Sequence, residues 1–148
     1  MSQADSQERV HTVVFTSEEG GVRARIAAAW FNLLAHPAKA QAVAACAEPS
    51  HRISAEVEGA LREIGVVTPP VEQLTPERVA AADLVIHLGV AEPERLAPQV
   101  EQDLWAFSSA LGATSDAVRR DRDAIEKLVR HLLAARRWLP IGASIPPR

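Results

Sequence analysis

A single cysteine, Cys46, stands in a chain of 148 residues. One thiol can form no internal disulfide and no cysteine-based metal cluster, and this usage implies a reducing cytoplasm. No apolar run approaches the ~20 residues that a membrane-spanning helix requires. Positive charge is not in excess either. The formal net charge is -3, whereas general nucleic-acid binding needs a basic face. The opening segment is polar and acidic rather than basic then apolar, so it lacks the pattern of a secretory leader. Residues 1–10 are expected to be a flexible tail, and the Pro-rich residues 140–148 an extended one. His11, His36, His51 and His131 show no metal-ligand spacing, and neither a metal nor a cofactor is expected.

Nearly half of the residues are apolar and about a quarter charged, as in an ordinary globular chain long enough to bury a core. Residues 11–139 are therefore taken as one domain. His11 to Thr16 is a short β-branched and aromatic run of the buried-strand type. From Arg23 to His36, apolar residues at Ile26, Ala27, Trp30, Phe31, Leu33 and Leu34 form a helical stripe that Pro37 stops. Ala40 to Ala47 is a weaker strand. Ser54 has the character of an N-cap before Val57, Leu61 and Ile64, with Gly65 past the end. Thr75-Pro76-Glu77 opens another short helix. Asp83 to Leu88 is the clearest strand, Trp105 centres a last one, and Ala113 to Arg137 is a long helix. This order predicts an α/β fold with three layers: a doubly wound, four-stranded, mostly parallel sheet with helices on both faces.

In such sheets the ligand crevice lies beyond the carboxyl ends of the strands. That is where Ser17, Glu18, Glu19, Gly20, Gly21, Val22 and Arg23 fall, between the first strand and the first helix. A glycine-bearing loop opening a helix can aim backbone N–H groups and a guanidinium at one point, which makes an anion cradle. Arg23 has two readings. It is an anchor for an oxyanion, or it pairs with Glu18 or Glu19 and closes the loop on itself. Arg25 is read as a solvated first-turn arginine. Cys46 is read as a small buried residue, His87 as a core or crevice-edge histidine, and Trp30 as core. Trp105 is a candidate to line a pocket near the site, and Asp116, Asp121 and Asp123 are read as helix-surface charge.

The chain resembles the low-molecular-weight protein tyrosine phosphatases, and most closely the thiol-dependent arsenate reductases that share their fold. The resemblance rests on three landmarks in order: Arg23 followed by Ala27-Ala28-Ala29-Trp30-Phe31; Ala47-Glu48-Pro49 followed by Ser54-Ala55-Glu56-Val57 and Leu61 to Gly65; and Leu74-Thr75-Pro76-Glu77 leading into Ala81 to Ile86. It runs from about Thr12 to Leu133. The resemblance implies a cysteine six residues before the arginine, a serine or threonine after it, and an Asp-Pro acid. This sequence has Ser17, Ala24 and Ser109-Ala110 at those places. The loop's middle is Glu19-Gly20-Gly21, where relatives have an asparagine, and the extra cysteines of arsenate reduction are missing.

A cysteine in such a cradle ionises because its pKa falls to about 3.5–7.5. A serine hydroxyl needs a neighbouring base, and only Glu18 or Glu19 stands in the loop. Their charges oppose an incoming dianion by about 1–4 kcal/mol. Losing the acid removes a further ~10²–10⁴ in rate, and a hydroxyl forms no mixed disulfide. The expectation is a catalytically inactive homologue kept for binding or regulation. Its partner is expected to be a small oxyanion (phosphate, sulfate or arsenate) or another protein. The alternative is an enzyme with non-standard chemistry that uses Ser17 and a loop glutamate.

Overall fold

The computed structural model describes residues 9–91 and 96–140, with the side chain of Glu19 excepted. Of the expected tails 1–10 and 140–148, residues 1–8 and 141–148 lie outside the described residues, as does Glu92. Five strands form one sheet: β1 (His11–Ser17), β2 (Ala40–Cys46), β3 (Val71–Gln73), β4 (Leu84–Gly89) and β5 (Gln102–Ala106). Their order is β3-β2-β1-β4-β5, and every adjacent pair is parallel. Four strands were expected, so β3 is an addition. It is only three residues long, follows Pro69-Pro70, and pairs with Ala44–Cys46 of β2. Such a piece has too few residues to show a period of two.

Alternation along the strands assigns their faces. Val13, Phe15, Leu84, Ile86 and Leu88 point to one side, where α1 (Val22–Leu34) and α4 (Ser115–Arg136) lie, with α2 (Ala55–Arg62) beside α4. Val14, Ala45 and Val85 point to the other, which is covered by Val79 of the short α3 (Pro76–Ala80) and by Leu96, Ala97 and Val100. Phe15 meets Phe31 edge-on, with ring centroids 5.8 Å apart. Each such fully buried side chain contributes about 1.5–3 kcal/mol.

Local chemistry explains the boundaries. Ser54, Thr75 and Thr114 each accept a backbone N–H three residues on, from Val57, Arg78 and Ala117, which satisfies otherwise orphaned amides of α2, α3 and α4. α4 ends on Arg137 in the left-handed conformation, with the Trp138 amide bonded to the Leu133 carbonyl. This turn drops the Trp138 ring onto Phe31 and His11. At the outer side of β2, before β3 begins, the Asn32 side chain donates to the Ala42 carbonyl and accepts from the Ala42 amide, both at 2.9 Å.

α1 departs from a one-sided stripe, since every residue from Arg23 to Phe31 is buried. Its alanines let it lie close to the sheet, and two arginines are buried with them. Among the described residues no helix is long and apolar enough to cross a membrane.

Candidate functional site

β1 delivers Ser17 to the carboxyl edge of the sheet, and a single 3-10 turn, Glu19–Gly21, leads into α1. Gly20 and Gly21 both take positive φ, +77° and +84°, a conformation costly for residues with a Cβ. A Cβ on Gly21 would lie 2.8 Å from Val71 Cγ2 and 3.1 Å from the Cys46 Cβ. The unforeseen β3 and the buried Cys46 therefore form the floor on which the loop rests.

The Ser17 side chain is buried and its Oγ accepts the Ala24 amide at 3.0 Å. It thus serves one of the first helical N–H groups, which have no partner within the helix. Ser17, Glu18, Val22, Arg23, Leu88, Gly89, Val90, Ala110 and Leu111 line a cavity of about 30 Å³. The space is narrow and is bordered by both the Ser17 hydroxyl and the Arg23 side chain.

Arg23 does not pair with Glu18; its described partners lie elsewhere. Its Nε donates to Asp121 Oδ2 on α4 at 2.6 Å, and its Nη2 donates to the Ser109 carbonyl at 2.9 Å. The guanidinium also lies 4.0 Å over the Phe107 ring, a cation–π contact. This corrects the expectation of a pair with Glu18, while the Glu19 side chain lies outside the described residues, and it corrects the reading of Asp121 as surface charge. The side chains of Arg23 and Asp121 are only 8% and 19% exposed. Asp116 and Asp123 do behave as surface charge, facing Arg119 and Arg122 of their own helix. A signal for Asp121 was present in the sequence. Val118, Asp121 and Ile125 follow the spacing of one helical face, and Val118 and Ile125 are core residues.

Arg25 overturns another expectation. It is buried, donating from Nε to the Pro69 carbonyl at 2.8 Å and from Nη1 to the Ser50 carbonyl at 2.9 Å. Burial lowers its pKa. It straps the segments on either side of α2 to the first turn of α1, and the Ser50 amide in turn reaches the Gly20 carbonyl. The clue in the sequence was a cation inside a helix with apolar residues all round.

Ser109 contributes its backbone carbonyl rather than its hydroxyl, and the neighbouring Ala110 lines the cavity. No carboxylate is available from the run Phe107-Ser108-Ser109-Ala110-Leu111-Gly112. His87 is buried on the opposite face of the sheet from the cavity lining, sharing its side with Thr16, and burial lowers its pKa. Trp30 is core, with its indole N–H donating to the Arg122 carbonyl. Trp105 does not reach the cavity; it packs against Phe15 and borders a groove between β5 and α4. Among the described residues no group of three or more His, Cys, Asp or Glu converges to hold a metal ion.

Known proteins share this architecture. No protein-family model matches the chain, and no curated protein does. Among solved structures, it is similar to the thioredoxin-dependent arsenate reductase of Corynebacterium glutamicum at 21% identity and a TM-score of 0.71. That match covers 90% of this chain and 65% of the reductase, so the chain spans just under two thirds of that protein's length. It is also similar to a low-molecular-weight protein tyrosine phosphatase from Bacillus subtilis, at 20% identity and a TM-score of 0.68, covering 85% of this chain and 99% of the phosphatase. A third is the YwlE arginine phosphatase in a cysteine-to-serine mutant with a phosphorylated active-site serine, at 19% identity and a TM-score of 0.69, covering 85% of this chain and 95% of the other. The fold is that of low-molecular-weight phosphatases and arsenate reductases.

Proposed function

We propose that this chain is a non-catalytic relative of those enzymes, a binding or regulatory protein built around the loop from Ser17 to Arg23. The observation that carries this reading is the role of Ser17: its Oγ accepts the Ala24 amide, and no described base is hydrogen-bonded to it. A hydroxyl becomes a nucleophile when an adjacent base takes its proton. Here the hydroxyl caps a helix. The absence of a carboxylic acid from residues 107–112 supports the same reading, because a leaving group would depart unprotonated. The ligand of the loop is then a small oxyanion or another protein. Phosphatase and arsenate-reductase assays on wild type and Ser17→Ala test the reading. Both proteins should match the buffer rate, and turnover that Ser17→Ala abolishes would end it.

One observation favours a second reading. The helix-terminal amide on Ser17 Oγ would also stabilise negative charge on that oxygen, and the neighbour described above carries a phosphorylated serine at its active site. In this reading Glu18, which lines the cavity, takes the Ser17 proton as Oγ bonds to phosphorus, and the ester P–O bond breaks to release an alkoxide or phenoxide that solvent water protonates. Incubation with a phosphoester followed by intact-mass measurement separates the two: an added phosphoryl group lost in Ser17→Ala supports the second.

A further inference from the structure

We infer that Asp121 is an internal counter-anion that latches the loop shut, so that Ser17 to Arg23 is an oxyanion site opened only by displacing a carboxylate of α4. The inference rests on the reading of this loop as a binding element and specifies how it is regulated. A guanidinium offers a carboxylate or phosphate a fork of two parallel N–H groups. The fork formed by Nε and Nη2 of Arg23 is spent, one arm on Asp121 Oδ2 and the other on the Ser109 carbonyl. Asp121 thus takes an arm of the fork that an oxyanion would use.

Three further features point the same way. The cavity of about 30 Å³ that Ser17 and Arg23 line is bordered by a guanidinium whose Nε and Nη2 are already engaged on Asp121 and Ser109. Glu18 lines the cavity with its negative charge, so Glu18, Arg23 and Asp121 together sum to one negative charge, which repels an anion rather than gathering one. Asp121 is also unlike Asp116 and Asp123, whose side chains are 88% and 56% exposed and bond arginines of their own helix. Asp121 alone of the three reaches across to α1. Opening the site would release the Ser109 carbonyl together with Asp121, so occupancy of the loop becomes linked to the conformation of residues 107–114, which connect β5 to α4.

The test uses the full chain and inorganic phosphate as probe, with binding followed by amide chemical shifts of Gly20, Gly21 and Arg23. Wild type should bind only weakly, and Asp121→Asn at least tenfold more tightly. Asp121→Glu, which keeps a carboxylate within reach, should return binding to the wild-type level. Asp121→Ser is a second way to remove the charge. Should the neutral variants fold only when phosphate is supplied, the latch is supported, because phosphate then replaces the carboxylate. Neutral variants that fold without phosphate and bind it no better than wild type would overturn the latch, as would variants that phosphate cannot restore. Turnover assays run beside these titrations keep the two readings apart. Activity dependent on Ser17 would sink the non-catalytic reading and leave the binding ratio to judge the latch.

Discussion

Thr16 and His87 face each other across β1 and β4, with the hydroxyl oxygen 2.8 Å from Nδ1. The other ring nitrogen, Nε2, is buried without a partner among the described residues and lies against Gly89, where a Cβ would come within 2.8 Å of it. Burial lowers the pKa of this ring below its usual 6.5, and the Glu18 charge offsets that only in part. The folded state therefore holds the neutral ring in a range where the unfolded chain takes up a proton. Stability from this residue is present above about pH 6.5 and falls as pH drops below it. His87→Asn, which can keep the bond to Thr16, should flatten the pH dependence of the urea midpoint between pH 7.5 and 5.5. Thr16→Val, which orphans Nδ1, should cost about 1–3 kcal/mol in the same unfolding experiment at pH 7.5.

Two glycines should respond in opposite directions to alanine. Gly21 has positive φ and its missing Cβ would press on Val71 and Cys46. Gly21→Ala should destabilise by about 1–3 kcal/mol through strain and overpacking. Gly59 lies within α2 and a Cβ there meets nothing within 4 Å. Gly59→Ala should stabilise by about 0.5–1 kcal/mol. Thermal unfolding of the two variants beside wild type measures both signs.

Glu63 bonds Arg119 and Arg122 of α4, with the shortest contact to each at 2.7 and 2.6 Å. The Arg119 hydrogen bonds, then those of Arg122, hold its carboxyl down to about 2. Because the folded pKa is depressed, its contribution is complete above about pH 4.5 and is lost as pH falls towards 2. Glu63→Gln should be less stable than wild type at pH 7, and the gap should close on acidification from pH 4.5 to 2. A gap that stays constant over that range would remove Glu63 as an acid-sensitive tie between α2 and α4.

Arg25 should matter more than its distance from the cavity lining implies. Arg25→Ala leaves the Ser50 and Pro69 carbonyls without their charged donor and should cost roughly 2–4 kcal/mol. Lysine has a single nitrogen on a flexible stem and should restore only part of that loss. Hydrogen exchange in Arg25→Lys should quicken at Gly20, Gly21 and Ser50 more than in β4, since the strap holds the loop rather than the sheet.

Much of this fold was legible because its signals are local. The β-branched runs of β1 and β4, the caps at Ser54 and Thr75, and Gly20-Gly21 ahead of Arg23 each announce themselves within a few residues. β3 was hidden because three residues behind Pro69-Pro70 carry no pattern of their own and exist as a strand only through β2. The site was legible as a segment and not as a circuit. Asp121 is 98 positions from Arg23 in sequence, and its contact depends on how α4 docks, which only tertiary packing decides. Arg25 was misread for a related reason. A solvated first turn is the ordinary setting for arginine, and α1 is buried on all sides from Arg23 to Phe31.

Asn32 carries a consequence for how molecules of this protein meet one another. A backbone row left open beside β2 would offer a template on which a stray segment from a neighbouring copy could lay down hydrogen bonds. The carboxamide of Asn32 fills that gap at Ala42, imitating the peptide group of an absent strand. Colloidal behaviour in this fold is thus guarded at one place by a side chain standing in for main chain.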